Sequence, residues 1–303
     1  MKNKLKQLLT ASVHKNQARG LLFSGGLDSS IIAAINPRVK AINVRFENYG
    51  EDTEYAESVS KFLKMEYFQR KVKIEEAIAA IPRVIKILES FDPAIPNDLT
   101  AYFGLKTAKE SGIDEIMTGD ASDEIFAGYS FMRGIDDLDG YIRKISSLWL
   151  FSSRKLGEFL DIKIKQPYLD KTIVDFGLDI PKNMKIRRDR NRVWGKWILR
   201  KAFEDALPGD IIWQSKRPLE HGSGMTKIRG IIESKIADKE FKEASKELSI
   251  KFISKEHFYY YKVYRDVIGE ISGPAKGEKE CPSCGAGMRQ QAFHCKVCGH
   301  VLN

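Results

Sequence analysis

Short apolar runs alternate with segments of helical spacing along the first part of this chain. Residues 21–23 and 41–46 are apolar runs typical of buried parallel strands, and we also expect strands over 66–72 and 115–118. The segments between these runs carry apolar residues three or four positions apart, which predicts amphipathic helices. Strands that alternate with helices predict an α/β fold, in which helices sandwich a parallel sheet.

The helical segments have identifiable ends. The spacing predicts helices over residues 28–34, 54–64 and 102–111, the last closed by Gly112 as a C-cap. A further helical pattern runs from Ile78 to Leu88 and contains Pro82, which predicts a break between two helices there. From about residue 141 to residue 216 the pattern is mostly helical, and residues 227–269 are charged and helical.

Two polar turns, at residues 24–29 and 119–124, each follow a predicted strand directly. Because ligands of parallel α/β sheets bind beyond the carboxyl ends of the strands, both turns are expected to open onto one crevice. The first turn, Ser24-Gly25-Gly26-Leu27-Asp28-Ser29-Ser30, is the most informative run of the chain.

That run has the chemistry of a pyrophosphate cradle. Gly25 and Gly26 let the backbone approach a ligand and present N–H groups, while Ser24 and Ser29 add hydroxyl donors. The helix that follows directs its positive end to the same point. Asp28 adds a carboxylate suited to Mg²⁺, a metal that prefers oxygen ligands and phosphates. A plain Gly-Gly turn with a helix cap is the structural alternative, and the strand–loop–helix context favours the phosphate site.

The run resembles the PP-loop of the adenine-nucleotide α-hydrolase group, a HUP-like fold whose members cleave ATP between the α and β phosphates. A Walker loop would need Gly-x4-Gly-Lys-Ser/Thr, and the sequence contains no such run. The resemblance implies ATP as a substrate.

Later segments resemble the synthetase domain of asparagine synthetase B, and they occur in that family's order. The matching segments are Glu89-Ser90-Phe91-Asp92, residues 118–129 with Ser122-Asp123-Glu124, Gln166-Pro167-Tyr168-Leu169-Asp170, Lys196 to Phe203 with Leu207-Pro208, and Trp213-Gln214-Ser215-Lys216. Together with the first loop they make six ordered motifs over roughly residues 1–225.

The resemblance implies roles for residues at matching positions. Asp28 and Asp123 would hold Mg²⁺ on the pyrophosphate. Glu89 would orient the acceptor nitrogen and accept its proton, and Lys216 would neutralise charge on the α-phosphate and the leaving pyrophosphate. The remaining implied contacts are with the nucleotide: phosphate contacts from Ser24, Gly25, Gly26 and Ser29, adenine contacts from the backbone of Val44, and support of the second loop by Gly119 and Ser122. Taken singly, each residue also suits a helix end or a solvated surface.

The implied reaction joins a carboxylate to nitrogen. Aspartate or a similar carboxylate would attack the ATP α-phosphate, release pyrophosphate and form an acyl-adenylate, which ammonia or another amine would then attack. Asparagine synthetase B begins with a glutaminase domain that has an N-terminal cysteine nucleophile, whereas this chain starts Met1-Lys2. We therefore expect nitrogen from free ammonia, a separate glutaminase subunit or another amine.

Two segments depart from the family pattern near its acceptor site. Residues 93–98 stand where the family has Thr-Thr-Ile-Arg-Ala-Ser, and residues 217–224 replace a segment ending Ser-Asp-Gly-Val-Gly. These departures leave the identity of the acceptor carboxylate open.

The C-terminal cysteines form a separate motif. All four cysteines of the chain occur in two Cys-x-x-Cys-Gly knuckles, Cys281 with Cys284 and Cys295 with Cys298. Two such pairs predict tetrahedral coordination of a structural Zn²⁺, as in a zinc ribbon. The predicted organisation is a PP-loop domain over 1–225, a helical extension over 226–272, a linker over 273–280 and the ribbon over 281–303.

Composition and charge restrict the cellular location and the kinds of partner that the sequence predicts. The chain has 303 residues, 43% of them hydrophobic, and a formal net charge of +9. The longest apolar runs are far shorter than the roughly 18–20 residues of a membrane helix, and the N-terminus does not read as a signal peptide. These features predict a cytoplasmic protein without a membrane partner. The basic excess suits a lysine-rich solvated surface or a polyanion such as RNA.

Two other functions are compatible with parts of the sequence. A tRNA-modifying PP-loop enzyme would adenylate a base, and would use the ribbon and the aromatic run Phe258-Tyr259-Tyr260-Tyr261 for RNA. Packing of a helix is the structural alternative for this aromatic run, and we favour it. Thiolating relatives need spare cysteines, whereas the ribbon is expected to use all four. A scaffold without activity would not need the intact phosphate loop, so an enzyme is the favoured prediction.

Overall fold

The computed structural model describes residues 1–47, 53–215 and 222–302. Its central element is a five-stranded sheet with strand order β3-β2-β1-β4-β5, in which every neighbouring pair is parallel. The strands are β1 (Gly20–Leu22), β2 (Lys40–Phe46), β3 (Tyr67–Val72), β4 (Glu115–Met117) and β5 (Lys163–Lys165). Leu21 of β1 aligns with Ala41 of β2 on one side and with Met117 of β4 on the other. The parallel sheet predicted from the sequence is confirmed.

The helices of the same region connect the strands and extend past β5. They are α1 (Lys2–Lys15), α2 (Leu27–Ile35), α3 (Thr53–Phe62), α4 (Ile74–Leu88), α5 (Ile95–Glu110), α6 (Ser122–Phe126), α7 (Leu138–Ser146), α8 (Ser152–Phe159), α9 (Lys171–Asp179), α10 (Lys182–Lys185), α11 (Trp197–Ala202) and α12 (Gly209–Ile212). A short antiparallel hairpin, β6 (Arg187–Asp189) and β7 (Arg192–Trp194), leads directly into α11.

The sheet separates two hydrophobic cores. Ile42, Val44 and Phe46 of β2 lie in one core with buried residues of α4 and α5. Ala41 of β2 and Leu21 of β1 lie in the other core with buried residues of α1 and α2. Successive side chains of a strand point to opposite faces, and both faces are covered here, which explains why the strands read as nearly continuous apolar runs.

The break predicted at Pro82 is wrong, because α4 runs through it from Ile74 to Leu88. Ile81, Val84 and Ile85 are fully buried on one face of this helix. Burial of each such side chain contributes roughly 1.5–3 kcal/mol. Three of them outweigh the roughly 3 kcal/mol that a proline inside a helix costs, so packing keeps the helix continuous.

Two other elements differ from the sequence prediction. Helix α5 begins at Ile95, before the predicted start at residue 102, and Pro96 lies in its first turn, where a proline needs no N–H partner. Strands β5, β6 and β7 lie in the region that was predicted to be mostly helical. Each has only three residues, and β6 consists of charged residues alone, so none of them shows a strand pattern in the sequence.

From residue 227 onward, the described chain forms three helices followed by a small β module. The elements are α13 (Lys227–Glu233), α14 (Asp238–Glu247), α15 (Lys255–Val267), β8 (Glu278–Glu280) and β9 (Gly287–Arg289). Helix α15 packs against α4 and α13. Strands β8 and β9 form an antiparallel hairpin, and His294 pairs with Val301 in an isolated bridge. In the part of the chain that the structure describes, none of the helices has the length and apolar character needed to cross a bilayer.

Candidate functional site

A cavity of about 210 Å³ opens at the carboxyl ends of β1, β2 and β4. β1 lies between β2 and β4, so the chain leaves β1 towards one side of the sheet and returns on the other. Such a reversal of strand order creates a crevice at the edge of a parallel sheet. Six of the predicted nucleotide-site residues line the cavity: Ser24, Gly26, Asp28, Ser29, Val44 and Gly119.

The loop between β1 and α2 is held in a tight conformation by its own side chains. The Gly26 N–H donates to Ser24 Oγ at 3.1 Å, and Ser24 Oγ lies 3.2 Å from Ser29 Oγ. Gly25 has a φ of +74°, and a Cβ at this position would lie 2.5 Å from the backbone nitrogen of Ala56 in α3. Only glycine fits there, so the loop is closely seated on α3 with its N–H groups at the start of α2.

Asp28 and Asp123 lie on either side of one buried ammonium group. Lys196 Nζ is 2.6 Å from Asp28 Oδ2 and 2.7 Å from Asp123 Oδ1, and the lysine side chain is only 3% exposed. Ser122 Oγ donates to the second oxygen of Asp28 at 2.7 Å. The two aspartates predicted to share a metal ion are therefore close together in space.

The backbone around Lys196 is built for this close approach. Lys196 has a φ of 54°, in the left-handed region, and its N–H donates to Phe126 O at 2.9 Å. A Cβ on Gly128 would lie 1.8 Å from Asp123 Oδ1 and 2.4 Å from Lys196 Cε. The glycine after α6 therefore makes room for the contact between carboxylate and ammonium group.

Arg200, one turn further along α11, fixes the segment that follows α12. Its Nε donates to Gly195 O at 3.0 Å, and its Nη1 donates to Gln214 O at 3.1 Å and to Ile212 O. Burial lowers the pKa of Arg200 to about 10, so the group stays charged at neutral pH. Gln214 Nε2 in turn donates to Gly25 O at 3.1 Å, which ties this segment to the phosphate loop.

Glu124 follows Asp123 in the first turn of α6 and is a further, partly buried carboxyl group. Glu124 Oε1 accepts a hydrogen bond from Tyr129 Oη at 2.7 Å. Burial, and then the negative charge of Asp123, raise the pKa of Glu124. Burial and the charge of Glu124 likewise raise the pKa of Tyr129. The start of α6 therefore carries two adjacent carboxyl groups, of which Asp123 pairs with Lys196 and Glu124 with the Tyr129 hydroxyl.

Asp120 also lines the cavity and is held by three donors on one oxygen. Its Oδ2 accepts from Thr118 Oγ1 at 2.6 Å, from Ser153 Oγ at 2.6 Å and from Gln166 Nε2 at 2.9 Å. Such a network fixes the orientation of the carboxylate in the cavity.

The structure does not bring Glu89 to the lining of this cavity. Glu89 caps the C-terminus of α4 with a φ of 54°, and its carboxylate lies 3.0 Å from Lys155 Nζ in an exposed ion pair. Its catalytic role therefore stays a prediction. Lys216, the other predicted catalytic residue, lies outside the described residues, and its role stays a prediction as well.

Reasoning from the sequence missed Lys196 and Asp120. Both lie in segments that the family motifs include, Lys196 at the head of the Lys-x-x-Leu-Arg match and Asp120 beside Gly119. The available signal was the buried character of α11, whose apolar residues Ile198 and Leu199 place the helix in the core. A lysine at the start of such a helix can be buried, and a fully buried lysine is nearly always paired.

The four cysteines form a compact cluster at the other end of the chain. All four are buried, and their Sγ atoms lie within 4.8 Å of one another. Cys281 and Cys298, and likewise Cys284 and Cys295, have Sγ–Sγ distances of 3.7 Å. A tetrahedron with Zn–S bonds of about 2.3 Å places sulfurs about 3.8 Å apart. The cluster thus fits a tetrahedral metal ion.

The two knuckles have the same backbone. Gly285 has a φ of +78° and its N–H donates to Cys281 O at 2.9 Å, while Gly299 has a φ of +75° and its N–H donates to Cys295 O at 2.9 Å. Each turn directs its pair of sulfurs to the same point. This arrangement supports the predicted zinc ribbon.

Comparison with known proteins gives one family. The model of the asparagine synthase family matches residues 4–163 and 160–270. The chain is 27% identical over 305 residues to a probable glutamine-hydrolysing asparagine synthetase of Dictyostelium discoideum, covering 88% of this chain and 55% of that protein. It is 29% identical over 238 residues to the glutamine-hydrolysing asparagine synthetase of Asparagus officinalis, covering 70% of this chain and 40% of that protein. The chain spans about half the length of the curated relatives it matches.

A search of solved structures matched the U34-tRNA thiolase NcsA from Methanococcus maripaludis with its [4Fe-4S] cluster. The match covers 94% of this chain and 85% of that chain, with 14% sequence identity and a TM-score of 0.32.

Proposed function

The chain belongs to the asparagine synthase family, and from that membership we propose that it is an ATP-dependent ligase that forms an amide. It activates a carboxylate as an acyl-adenylate with release of pyrophosphate and then transfers ammonia or an amine to the acyl group. Aspartate is the first carboxylate to test, and free ammonia or a separate glutaminase subunit is the proposed nitrogen source.

One observation carries this proposal. Lys196 Nζ lies between Asp28 and Asp123 at the edge of a glycine-rich loop that begins a helix. The loop N–H groups and the helix start favour phosphate oxygens, and a buried cation beside them stabilises charge that develops as a phosphate leaves. A cleavage of ATP at this point needs that combination.

The residues of the chain have distinct proposed tasks. The backbone of Gly25 and Gly26, with Ser24 and Ser29, binds the β and γ phosphates, while Lys196 faces the α-phosphate. The substrate carboxylate oxygen attacks the α-phosphorus, the bond to the bridging oxygen breaks, and pyrophosphate departs with that electron pair. The attacking nitrogen then displaces AMP from the acyl carbon and gives up a proton.

A divalent ion fits the same site. Asp28 and Asp123 offer carboxylate oxygens, and a carboxylate can accept more partners than the lysine and serine contacts use. We propose that both residues hold Mg²⁺, which would neutralise charge on the pyrophosphate.

The test is ATP–pyrophosphate exchange with Mg²⁺, measured against a panel of carboxylic amino acids and tRNA. We expect exchange with a small carboxylate, and a fall of about 100-fold or more in Lys196→Met, because the loss of one preorganised charge in a dry site has that size. Lys201→Met is the matched control, since Lys201 lies on the same helix and pairs with the partly exposed Glu204. Exchange that requires tRNA would replace the amide ligase with a tRNA-modifying enzyme.

The two candidate lysines are compared in the same assay. Lys216→Met is expected to reduce exchange if the role implied by family resemblance holds. Full exchange in Lys196→Met, with loss in Lys216→Met alone, would assign the charge-neutralising role to Lys216 and contradict the proposal for Lys196.

We propose that the cysteine cluster holds a structural Zn²⁺. Metal analysis is expected to find one zinc per chain, lost in Cys284→Ser. Iron with acid-labile sulfide in that analysis would assign an iron–sulfur cluster to the four thiolates instead.

A further inference from the structure

The cysteine module, residues 278–302, is attached to the turn between α4 and α5, residues 89–94. The Phe91 N–H donates to Val297 O at 2.7 Å, and Ser90 Oγ donates to the same oxygen at 3.2 Å. Val297 lies inside the second knuckle, between Cys295 and Cys298. The backbone that carries two of the sulfur ligands therefore touches this turn directly.

Asp92 joins the module to the start of α5. His294 Nε2 lies 3.1 Å from Asp92 Oδ2, and the aspartate side chain is 18% exposed. The other carboxylate oxygen, Oδ1, accepts the N–H of Ala94 at 2.8 Å, and Asp92 O accepts the N–H of Ile95 at 3.1 Å. Asp92 thus contacts His294, next to the second knuckle, and accepts backbone N–H groups at the start of α5.

The first turns of α5 form one wall of the cavity. Asn97, Thr100 and Ala101 line it and are called the α5 wall here. Helix α5 belongs to the core on one face of the sheet, whereas α2, which follows the phosphate loop, belongs to the core on the other face. The α5 wall and the phosphate loop therefore approach the cavity from opposite faces of the sheet.

The second knuckle fits closely against the turn, and the first does not. A Cβ on Gly299 would lie 2.9 Å from Asp92 Cγ and 2.9 Å from Pro93 Cδ. A Cβ on Gly285, the equivalent glycine of the first knuckle, would meet only Glu280 Oε1 at 3.5 Å. The two glycines share a left-handed φ and differ in what they pack against.

We propose that the metal-loaded cysteine module is a positioning element of the active site, which holds residues 89–94 and, through Asp92, the α5 wall. The metal links the two knuckles of a segment too small to keep its fold by hydrophobic burial alone. Loss of the metal releases Val297 and His294 from their partners and loosens the start of α5. The kinetic consequence rests on the proposed ligase function, whereas the structural consequence does not.

The matched pair of glycines supplies the test. Gly299→Ala and Gly285→Ala introduce the same backbone strain into equivalent knuckles, but only Gly299→Ala displaces Asp92 and Pro93. Both proteins are compared with the wild type at one zinc per chain. Backbone hydrogen exchange of residues 90–101 is expected to quicken about tenfold in Gly299→Ala and less than about twofold in Gly285→Ala, because opening follows the loss of local contacts.

Kinetics provide a second measurement on the same proteins. The kcat/KM for pyrophosphate release with ATP, aspartate and ammonia is expected to fall about tenfold or more in Gly299→Ala, because a displaced wall misplaces the reactants. Inhibition by inorganic pyrophosphate, which the phosphate loop holds, is expected to change less than about twofold in the same variant. If the wild-type protein releases no pyrophosphate, the ligase function is refuted. The comparison of backbone hydrogen exchange then decides the positioning role by itself.

Zinc removal and a second variant pair keep the test independent of the glycines. Removal of zinc from the 303-residue chain with a chelator is expected to quicken backbone hydrogen exchange over residues 90–101. His294→Ala is expected to have part of this effect. Arg289→Ala, at an exposed position of β9, is expected to have none. Equal rates of backbone hydrogen exchange over residues 90–101 in Gly299→Ala and Gly285→Ala would overturn the proposal. An unchanged rate after zinc removal would overturn it as well.

Discussion

At the scale of single residues, the carboxyl groups near the cavity have different partners. Asp28 and Asp123 share Lys196, whereas Glu124 has its hydrogen bond from the neutral Tyr129. A buried carboxyl group without a full counter-charge favours its protonated form. The unfolded chain has no such constraint, so the folding equilibrium responds to pH at this residue.

Glu124→Gln tests that electrostatic cost. The folded-state pKa of Glu124 is raised above 4.5, its ordinary value, so the folded protein retains a proton that the unfolded chain has released. Stability is then lost as pH rises from 4.5 through the folded-state pKa. We expect the free energy of unfolding of Glu124→Gln, measured in urea without nucleotide, to decline less than that of the wild type over this window. Glu158→Gln, at an exposed position on α8, should follow the wild type, and a steeper decline in Glu124→Gln would contradict the argument.

Asp120 and Glu89 are rival candidates for the group that accepts the proton of the attacking nitrogen. Asp120 lines the cavity and is oriented by three donors, whereas Glu89 forms an exposed pair with Lys155. We expect Asp120→Asn to lower the rate of amide formation by about 100-fold, the usual contribution of a positioned base. The fall in the rate of amide formation should be at least about tenfold smaller in Glu89→Gln. The reverse order of the two variants, measured with ammonia at saturating ATP, would restore the role implied by the family for Glu89.

At the scale of elements, the site depends on how closely α6 and α11 approach. Gly128 follows α6, and Gly195 precedes Lys196 with a hypothetical Cβ only 2.2 Å from Ala127 O. Two glycines in contact allow the backbones to meet, and the meeting brings Asp123 to Lys196. The charge arrangement of the cavity is therefore a consequence of helix packing.

Gly128→Ala is expected to separate the pair. The added methyl group overlaps Asp123 Oδ1 and Lys196 Cε, and such overpacking typically costs about 1–3 kcal/mol of stability. Exchange of ATP with pyrophosphate should fall by about 100-fold, because the lysine loses its position in the site. Gly134→Ala is the control, since its Cβ would meet no atom within 4 Å. Comparable exchange in the two variants would show that the close approach of α6 and α11 does not matter for activity.

Elements with enough residues to show a pattern could be predicted from the sequence. Strand β2 has seven residues with both faces buried, and the loop after β1 carries its own chemical signature. Strand β5 has three residues, two of them lysine, and gains its place only by pairing with β4. Pairing with a distant segment leaves no local trace in the sequence, so β5 could not be predicted. Strands β1 and β4 are equally short but mostly apolar, and their positions were predicted.

The same limit applies to the site. The phosphate loop is contiguous, and its residues were found together. Lys196 reaches Asp28 across 168 positions of sequence, and His294 reaches Asp92 across a similar span. Family order indicated that the segments belong together, but the ion pair that joins them depends on the left-handed backbone at Lys196 and on the glycines around it. Those packing details are set by the three-dimensional structure.

At the scale of the whole molecule, α15 connects the α/β body with the cysteine module. Phe91 packs on His257, Tyr261 and Tyr264 of α15, with ring centroids 5.2–5.5 Å apart. The four cysteines belong to the same hydrophobic core as α4 and α5. The aromatic run of α15 is thus used for packing, and Tyr260 and Tyr261 are buried rather than open as a stacking surface for RNA.

Arg229 of α13 connects α15 with the turn between α4 and α5 through an ion pair with the buried Glu256. Its Nη1 lies 2.7 Å from Glu256 Oε2, and its Nη2 donates to Pro93 O at 3.2 Å. Glu256 is 1% exposed, and Tyr260 Oη donates to its second oxygen at 2.6 Å. Burial raises the pKa of Glu256, so the arginine offsets an otherwise unfavourable charge.

Arg229→Met is expected to lower the free energy of unfolding by about 1–3 kcal/mol, because it leaves the buried carboxyl group of Glu256 without its cation. Arg265→Met is the control: Arg265 pairs with the exposed Glu270, and an exposed pair contributes about 0–1 kcal/mol. The double variant Arg229→Met with Glu256→Gln should recover part of the loss, because the uncompensated charge is then gone. Urea unfolding of the zinc-loaded proteins measures all three. Equal losses in Arg229→Met and Arg265→Met would show that the pair with Glu256 does not hold α13 and α15 to the turn at Pro93.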